Sequence, residues 1–247
     1  MNVSVWNCDG QKQRGLISAL GLKDDTRHCI CAVGGGGKTT LIQALAMEWS
    51  QQVERVLCLT TTKIREPQYG VVIKEESLEK IEQQHGIVTV ALQWNEEKLT
   101  SVSEAFQSIL IQQYPIVLIE ADGSKGLPSK VPNATEPVLP EETTTILAIQ
   151  GIDAYHQPIQ EVCHRPELVC QILNKTPEQR LTKEDMAELF LNENALRKSV
   201  GTRNYWTILQ KVDNEERMEI AKEIAAVLKE RGFHQILYTK REEEVAI

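Results

Sequence analysis

The chain has 247 residues, of which 41% are hydrophobic and 25% are charged, so it can bury a full core as one α/β domain without disulfides. Its 35 acidic side chains outnumber its 27 lysines and arginines, giving a net charge of -8, and no basic stripe carries interleaved aromatic residues, so we expect no nucleic-acid partner. No secretory leader and no apolar run of ~20 residues is visible, and no cysteines form a C-x-x-C pair, so we expect a cytoplasmic protein with reduced thiols and no membrane contact.

An amphipathic helix around residues 16–20 comes first in the chain, and a phosphate-binding loop follows it. Residues 29–42 read Cys-Ile-Cys-Ala-Val-Gly-Gly-Gly-Gly-Lys-Thr-Thr-Leu-Ile, an apolar strand, a glycine loop and the start of a helix. Glycines let backbone N–H groups surround oxyanions at a helix N-terminus, where Lys38 would reach the β- and γ-phosphates and Thr39 would bind Mg²⁺. Ala32 replaces the first glycine of G-x-x-x-x-G-K-[ST]. The predicted nucleotide-binding residues here are Gly34, Gly35, Gly36, Gly37, Lys38, Thr39 and Thr40.

Apolar runs and helical patterns alternate along the rest of the chain, which is typical of βαβ units around a parallel sheet. A proline-containing stretch without a period, residues 123–142, is expected to be an extended surface loop, and residues 166–203 are expected to form a helical insertion in which Thr182 and Asp185 make a capping pair. The last helix is expected to begin after a cap at Asp213 and to end at Gly232. The predicted strands are 29–33, 55–60, 87–92, 116–121, 144–150, 205–210 and 234–238, and the predicted helices between them are 39–51, 75–84 and 102–113.

These elements predict the three-layer α/β fold of the P-loop NTPases, in which helices flank a mostly parallel sheet and residues 1–247 form a single domain. The apolar run at residues 116–119 predicts a buried central strand that carries Glu120 to the sheet edge where the phosphate loop lies. Glu120 would orient a metal-bound or attacking water, and Asp122 would hold the magnesium shell. The alternative is that Glu120 ends a strand and Asp122 makes a turn. Lys38, Glu120 and Asp122 are thus the predicted catalytic residues, and Thr39, Glu120 and Asp122 the predicted magnesium ligands.

Two further segments are predicted to reach the same edge. Threonines and a lysine at residues 60–63 would sense the γ-phosphate, or are simply good strand residues. Gln210-Lys211-Val212-Asp213 is close to the Asn-Lys-x-Asp that reads guanine in GTP-binding proteins, so Lys211 and Asp213 are predicted base contacts and GTP is favoured over ATP. The longer side chain of Gln210 is not expected to reproduce the hydrogen bonds with which asparagine braces the loop.

Several of these segments also resemble a known family. Glu120-Ala121-Asp122-Gly123 has the Glu-x-x-Gly form of P-loop GTPases that serve as accessory proteins for nickel, cobalamin and related metal-cofactor enzymes. More closely, the chain from about Cys29 to its end is similar to the YqeC family of selenium-cofactor biosynthesis or molybdenum hydroxylase accessory proteins. The resemblance implies a nucleotide-dependent role in maturing a molybdenum hydroxylase, with that enzyme or its cofactor as partner. It rests on residues 34–40, 60–64, 120–130, 151–154 and 164–167.

Basic residues within the similar segments leave alternatives open. Lys125 and Lys130 would bind phosphate or an anionic cofactor, or are merely solvated. Cys163-His164-Arg165 would meet a metal, a selenium species or an anionic pterin, although neighbours on a strand face opposite ways and a structural metal site is not expected.

We therefore expect Mg²⁺ and GTP or ATP as cofactors and slow hydrolysis that toggles loops in an assembly step. The rival is a small-molecule kinase or nucleotidyltransferase whose acceptor lies against residues 123–142 and His164-Arg165. A third alternative is a nucleotide-binding scaffold without turnover, and a homodimer is left open.

Overall fold

The computed structural model describes residues 3–23 and 26–242, which fold around a nine-stranded sheet. The strands are β1 (Val3–Asn7), β2 (His28–Gly34), β3 (Arg55–Thr60), β4 (Ile64–Arg65), β5 (Val71–Ile73), β6 (Gly86–Val90), β7 (Leu92–Gln93), β8 (Lys98–Thr100), β9 (Ile116–Glu120), β10 (Ser129–Lys130), β11 (Thr145–Gly151), β12 (Cys163–His164), β13 (Asn204–Gln210) and β14 (Ile236–Arg241). The helices are α1 (Leu16–Ala19), α2 (Lys38–Trp49), α3 (Leu78–Glu82), α4 (Glu104–Gln113), α5 (Ile159–Val162), α6 (Pro166–Leu173), α7 (Lys183–Leu191) and α8 (Glu215–Glu230), with a 3₁₀ turn at Ile152–Ala154.

The large sheet has the strand order β1-β14-β13-β11-β2-β9-β3-β6-β5, and within the described residues β1 is its one antiparallel member. Parallel strands are covered on both faces, and β2 shows this directly. Cys29 and Cys31 pack into one core with helices α4, α7 and α8, whereas Ile30 and Ala32 pack into a second core with α1 and α2. Helices therefore flank both faces of the sheet, and the predicted three-layer α/β fold is confirmed.

Helix boundaries follow local capping chemistry. The predicted capping pair is confirmed, because the Thr182 hydroxyl accepts from the Asp185 N–H while the Asp185 carboxylate accepts from the Thr182 N–H. The predicted cap of α8 at Asp213 is wrong: Asn214 accepts from the Arg217 N–H one residue later, and both residue types are good caps. Across the described ranges no helix combines the length and the apolar character that a membrane crossing demands.

The order of the central strands gathers polar residues at one sheet edge. Strand β2 lies between β9 and β11, and all three run parallel, so their carboxyl ends meet. Gly34, Glu120 and Gly151 end these three strands. Two smaller sheets lie outside the large one: β10 pairs in parallel with β12, and β8 pairs with both β4 and β7. Residues 127–129, which lead into β10, pack directly against the glycine loop.

Candidate nucleotide-binding site

The glycine loop after β2 is held in a conformation that only glycine tolerates. Gly34, Gly36 and Gly37 have φ angles of 100°, 80° and 127°, which side chains with a Cβ rarely adopt. A Cβ at Gly35 would lie 2.6 Å from the Leu127 oxygen, and one at Gly36 would lie 2.2 Å from the Gly151 nitrogen. The loop therefore needs glycine both for its turn and for the close approach of two neighbouring backbones.

Part of the loop's backbone is already hydrogen-bonded within the protein. The Gly35 N–H donates to the Ile149 oxygen over 2.9 Å, and the Gly36 N–H donates to the Leu127 oxygen over 3.0 Å. Helix α2 begins at Lys38, so the amides of residues 38–40 have no carbonyl acceptor within the helix. These first amides of the helix, where the helix dipole also favours negative charge, are the donors left for an oxyanion.

Lys38 is folded back onto the loop and is almost fully buried. Its ammonium lies 2.5 Å from the Gly34 carbonyl oxygen, 3.2 Å from an Asp122 carboxylate oxygen and 3.8 Å from a Glu120 oxygen. The two carboxylates balance the buried charge. The lysine is thus kept at the mouth of the loop, where its carboxylate contacts can be exchanged for phosphate oxygens.

Thr39 and Glu120 are in direct contact. The Thr39 hydroxyl donates to the Glu120 carboxylate over 2.8 Å, because the pairing of β2 with β9 brings the first turn of α2 beside the end of β9. Burial raises the pKa of Glu120, against the opposing effects of the Lys38 charge and the Thr39 hydroxyl. Within residues 3–23 and 26–242 no group of three or more His, Cys, Asp or Glu side chains forms a metal site.

Asp122 lies beneath the loop, with its side chain 1% exposed. Its carboxylate accepts from the Gly34 N–H over 3.0 Å and lies 3.2 Å from the Lys38 ammonium and 3.1 Å from the Lys130 ammonium. Three donors therefore surround it. In this state Asp122 anchors the loop, and ligation of a metal would require one of these donors to leave.

Lys211 and Asp213, the predicted base contacts, have different surroundings, and Gln210 before them contacts the glycine loop. The Gln210 amide donates to the Gly37 carbonyl oxygen over 3.2 Å, so this glutamine braces the glycine loop with a hydrogen bond of its own. Lys211, beside it, pairs with Asp153 over 2.6 Å, whereas Asp213 pairs with Arg217 of α8 over 2.9 Å. Lys211 thus lies at the loop edge, and Asp213 is engaged by the last helix.

Asp153 is a residue that the motif analysis missed, although its block contributed to the family resemblance. It follows the apolar strand β11 just as Asp122 follows β9, and this position at a strand's carboxyl end was the available signal. One of its carboxylate oxygens, Oδ1, is buried without a hydrogen-bond partner among the described residues.

The threonine segment after β3 is tied to the strand that carries Glu120. The Thr61 N–H and the Thr60 hydroxyl both donate to the Glu120 carbonyl oxygen, over 3.0 Å and 3.2 Å. The segment therefore lies beside the Thr39–Glu120 contact, at the position from which it was predicted to sense a γ-phosphate.

Five alternating charges extend from the loop toward the surface, and we call this series the ion-pair ladder. Lys130 is fully buried, 2.7 Å from a Glu136 oxygen and 3.1 Å from Asp122, and the Arg165 guanidinium lies 2.6 Å from the same Glu136 oxygen. Burial alone would raise the pKa of Glu136, but hydrogen bonds from Arg165 and Lys130 outweigh it and lower that pKa to about 2. The ladder consists of Lys38, Asp122, Lys130, Glu136 and Arg165.

Substituting Gly36 with alanine is expected to lower the free energy of unfolding by about 2–4 kcal/mol and to weaken nucleotide binding at least about tenfold. The added Cβ would overlap the Gly151 backbone and also carry the cost of positive φ. Gly232→Ala is the matched control, because Gly232 has the same φ of +80° and open space around its Cβ, so it should cost about 1 kcal/mol and leave binding unchanged. Urea unfolding and a nucleotide titration of both variants check this, and equal losses in the two would contradict the tight packing of the loop.

Sequence similarity to known proteins agrees with this geometry. A family model described as YqeC protein matches residues 30–167, more than half of the chain. A protein of Escherichia coli (strain K12) described as uncharacterized protein YqeC is 30% identical over 193 residues, 72% of this chain and 74% of that protein. Guanylate kinases of Chlamydia felis and Chlamydia caviae are 33% and 30% identical over 111 residues, 43% of this chain and 54% of each kinase. The fold, the loop and these similarities together describe a nucleotide-binding P-loop protein.

Proposed function

Since the chain belongs to the YqeC family, we propose that it is a magnesium-dependent NTP hydrolase, acting on GTP or ATP, that serves as an accessory factor in the maturation of a molybdenum hydroxylase. The observation that carries the nucleotide chemistry is the convergence of Lys38, Thr39 and Glu120 at the start of α2. The maturation role is supported by the family resemblance, above all by the Glu-Ala-Asp-Gly-Ser-Lys block at residues 120–125.

The donor set fits magnesium. A hydroxyl and a carboxylate are hard oxygen ligands, and Mg²⁺ is commonly held by one or two such groups together with phosphate oxygens and water. Thr39 and Glu120 would hold the ion, which would neutralise charge on the bound phosphates. Asp122 would contribute by keeping the loop and Lys38 in place, since three protein donors already surround its carboxylate.

In the proposed reaction Lys38 exchanges its contacts with Asp122 and Glu120 for phosphate oxygens, to which the free amides of residues 38–40 also donate. Glu120 then orients a water toward the γ-phosphate. The Glu120 carboxylate accepts the proton that this water loses. Lys211, at the loop edge beside Gln210, is proposed to cover the base.

Glu120→Gln is expected to keep nucleotide binding within a few-fold of the wild type and to lower turnover at least about a hundredfold, because the amide cannot accept the water's proton. A time course of phosphate release measures turnover, and a nucleotide titration of the same sample measures binding, so the two effects are separated. The matched control is Glu193→Gln, at an exposed position in the turn after α7, which should hydrolyse at the wild-type rate. Full turnover in Glu120→Gln would remove this residue from the reaction.

The second candidate is a small-molecule kinase, which the similarity to two guanylate kinases favours. Product analysis separates the two functions. Release of inorganic phosphate without an added acceptor supports hydrolysis, whereas a phosphorylated small molecule supports phosphoryl transfer. Absence of both products from a protein that binds triphosphate would support a scaffold without turnover.

A further inference from the structure

The outer end of the ion-pair ladder leaves hydrogen-bonding capacity unused. Arg165 uses only Nη1 for Glu136, so the edge formed by Nε and Nη2 has no protein acceptor within the described residues. That edge is the part of a guanidinium that binds two oxygens of a carboxylate or phosphate through parallel hydrogen bonds. The side chain is 20% exposed, so this edge is within reach of a ligand.

Two more basic side chains lie beside Arg165 without partners. The half-buried His164 imidazole makes no hydrogen bond with any residue of the described ranges, and neither does the exposed Lys125 ammonium. Backbone geometry brings them together: β10 pairs with β12 so that Lys130 is opposite His164, and the Lys130 ammonium donates to the Gly123 carbonyl, two residues before Lys125. Burial, followed by the charges of Arg165, Lys130 and Lys125, lowers the pKa of His164.

Basic side chains that lie close together repel one another, and an anion bound among them would relieve that repulsion. Lys125 and Arg165 are in addition held at φ angles of 52° and 62°, a conformation that non-glycine residues seldom adopt. Glu136 offsets only part of this positive charge, because Lys130 and Arg165 share its one carboxylate.

We propose that Lys125, His164 and Arg165 form a second anion-binding subsite, beside the phosphate loop, that binds a phosphate group of a ligand other than the nucleotide. The free guanidinium edge binds two phosphate oxygens, the imidazole donates through its N–H, and Lys125 closes the open side. The subsite is separate from the nucleotide pocket, because the ion pairs that Lys130 makes with Asp122 and with Glu136 lie between Lys38 and Arg165. It lies close enough for both ligands to be bound together, since the segment leading to β10 packs on the glycine loop.

Inorganic phosphate is the probe, titrated at constant ionic strength and followed by ³¹P NMR line width. Because phosphate would also enter the glycine loop, the titration is made in a Lys38→Ala background. In that background phosphate binding should persist, and Lys125→Gln together with Arg165→Gln should weaken it at least about tenfold. The charge-matched control is Lys12→Gln with Lys222→Gln, two lysines remote from the subsite, which should change phosphate affinity less than about twofold.

Lys125→Gln alone is the variant that should leave folding intact, since this exposed side chain has no partner in the described part of the chain. It should by itself weaken phosphate binding several-fold. Phosphate binding that disappears in Lys38→Ala alone would show that the glycine loop is the phosphate site and would overturn the proposal. Equal affinities in the Lys125/Arg165 variant and in the Lys12/Lys222 control would also overturn it. Neither result depends on NTP hydrolysis, so failure here is distinguishable from failure of the proposed function.

Discussion

Lys38→Ala is expected to weaken the binding of magnesium–GTP or magnesium–ATP at least about a hundredfold, because the lysine supplies charge-assisted hydrogen bonds to phosphate oxygens that no neighbouring side chain replaces. Lys38 is buried at the mouth of the loop and contacts the Gly34 carbonyl oxygen and the Asp122 carboxylate, so its ammonium needs only a short movement to reach a phosphate. Isothermal titration calorimetry of wild type and variant measures the difference.

Lys222→Ala is the control for Lys38→Ala, because Lys222 is an exposed lysine of α8 whose one ion pair among the described residues is with Glu219. It should bind nucleotide as the wild type does. Circular dichroism of Lys38→Ala shows whether the loss is local, since Asp122 keeps Lys130 and the Gly34 N–H as partners. Wild-type affinity in a folded Lys38→Ala variant would contradict the assignment of this lysine to the phosphates.

Lys130→Met should lower the free energy of unfolding by about 3–5 kcal/mol and the melting temperature by roughly 10 °C. Methionine fills a similar volume but leaves the Asp122 and Glu136 carboxylates without the ammonium between them. Removing one partner of a buried ion pair is costlier than replacing the whole pair, so a Lys130→Met/Glu136→Gln double variant should recover part of the loss. Urea unfolding monitored by circular dichroism measures each variant.

The control for the ladder is Lys222→Met, which should change the free energy of unfolding by less than about 0.5 kcal/mol because its ion pair is exposed. A Lys130→Met protein within about 1 kcal/mol of the wild type would mean that the buried charges are not held by this lysine. Failure of Glu136→Gln to compensate would mean that the two residues are not energetically coupled.

The fold was predictable because its signals are local. The apolar run before Glu120 lies within β9, and the glycine run before Lys38 spans only the end of β2 and the three-residue loop after it; strand order then brings the ends of β2 and β9 together. The antiparallel strand β1 escaped prediction because its pairing with β14 joins the two ends of the chain. The helix cap at Asn214 was missed by one residue, since Asp213 offers equivalent capping chemistry.

The ion-pair ladder could not be predicted in the same way. Lys130 and Glu136 belong to a proline-containing segment that shows no period, and Arg165 is the single residue between β12 and α6. A lysine in such a segment is ordinarily solvated. The burial of Lys130 depends on the pairing of β10 with β12 and on the glycine loop that packs against residues 127–129, both of which are tertiary contacts. The brace from Gln210 to Gly37 depends likewise on how far β13 extends toward the glycine loop.

A crystal structure of the wild-type protein grown with magnesium and a non-hydrolysable triphosphate tests the central claim most directly. In that structure the polyphosphate should lie on the amides of residues 38–40, the Lys38 ammonium should have moved from Asp122 to phosphate oxygens, and the metal should lie beside Thr39 and Glu120. A glycine loop that stays closed against residues 127–129, with the triphosphate bound elsewhere or not at all, would contradict it.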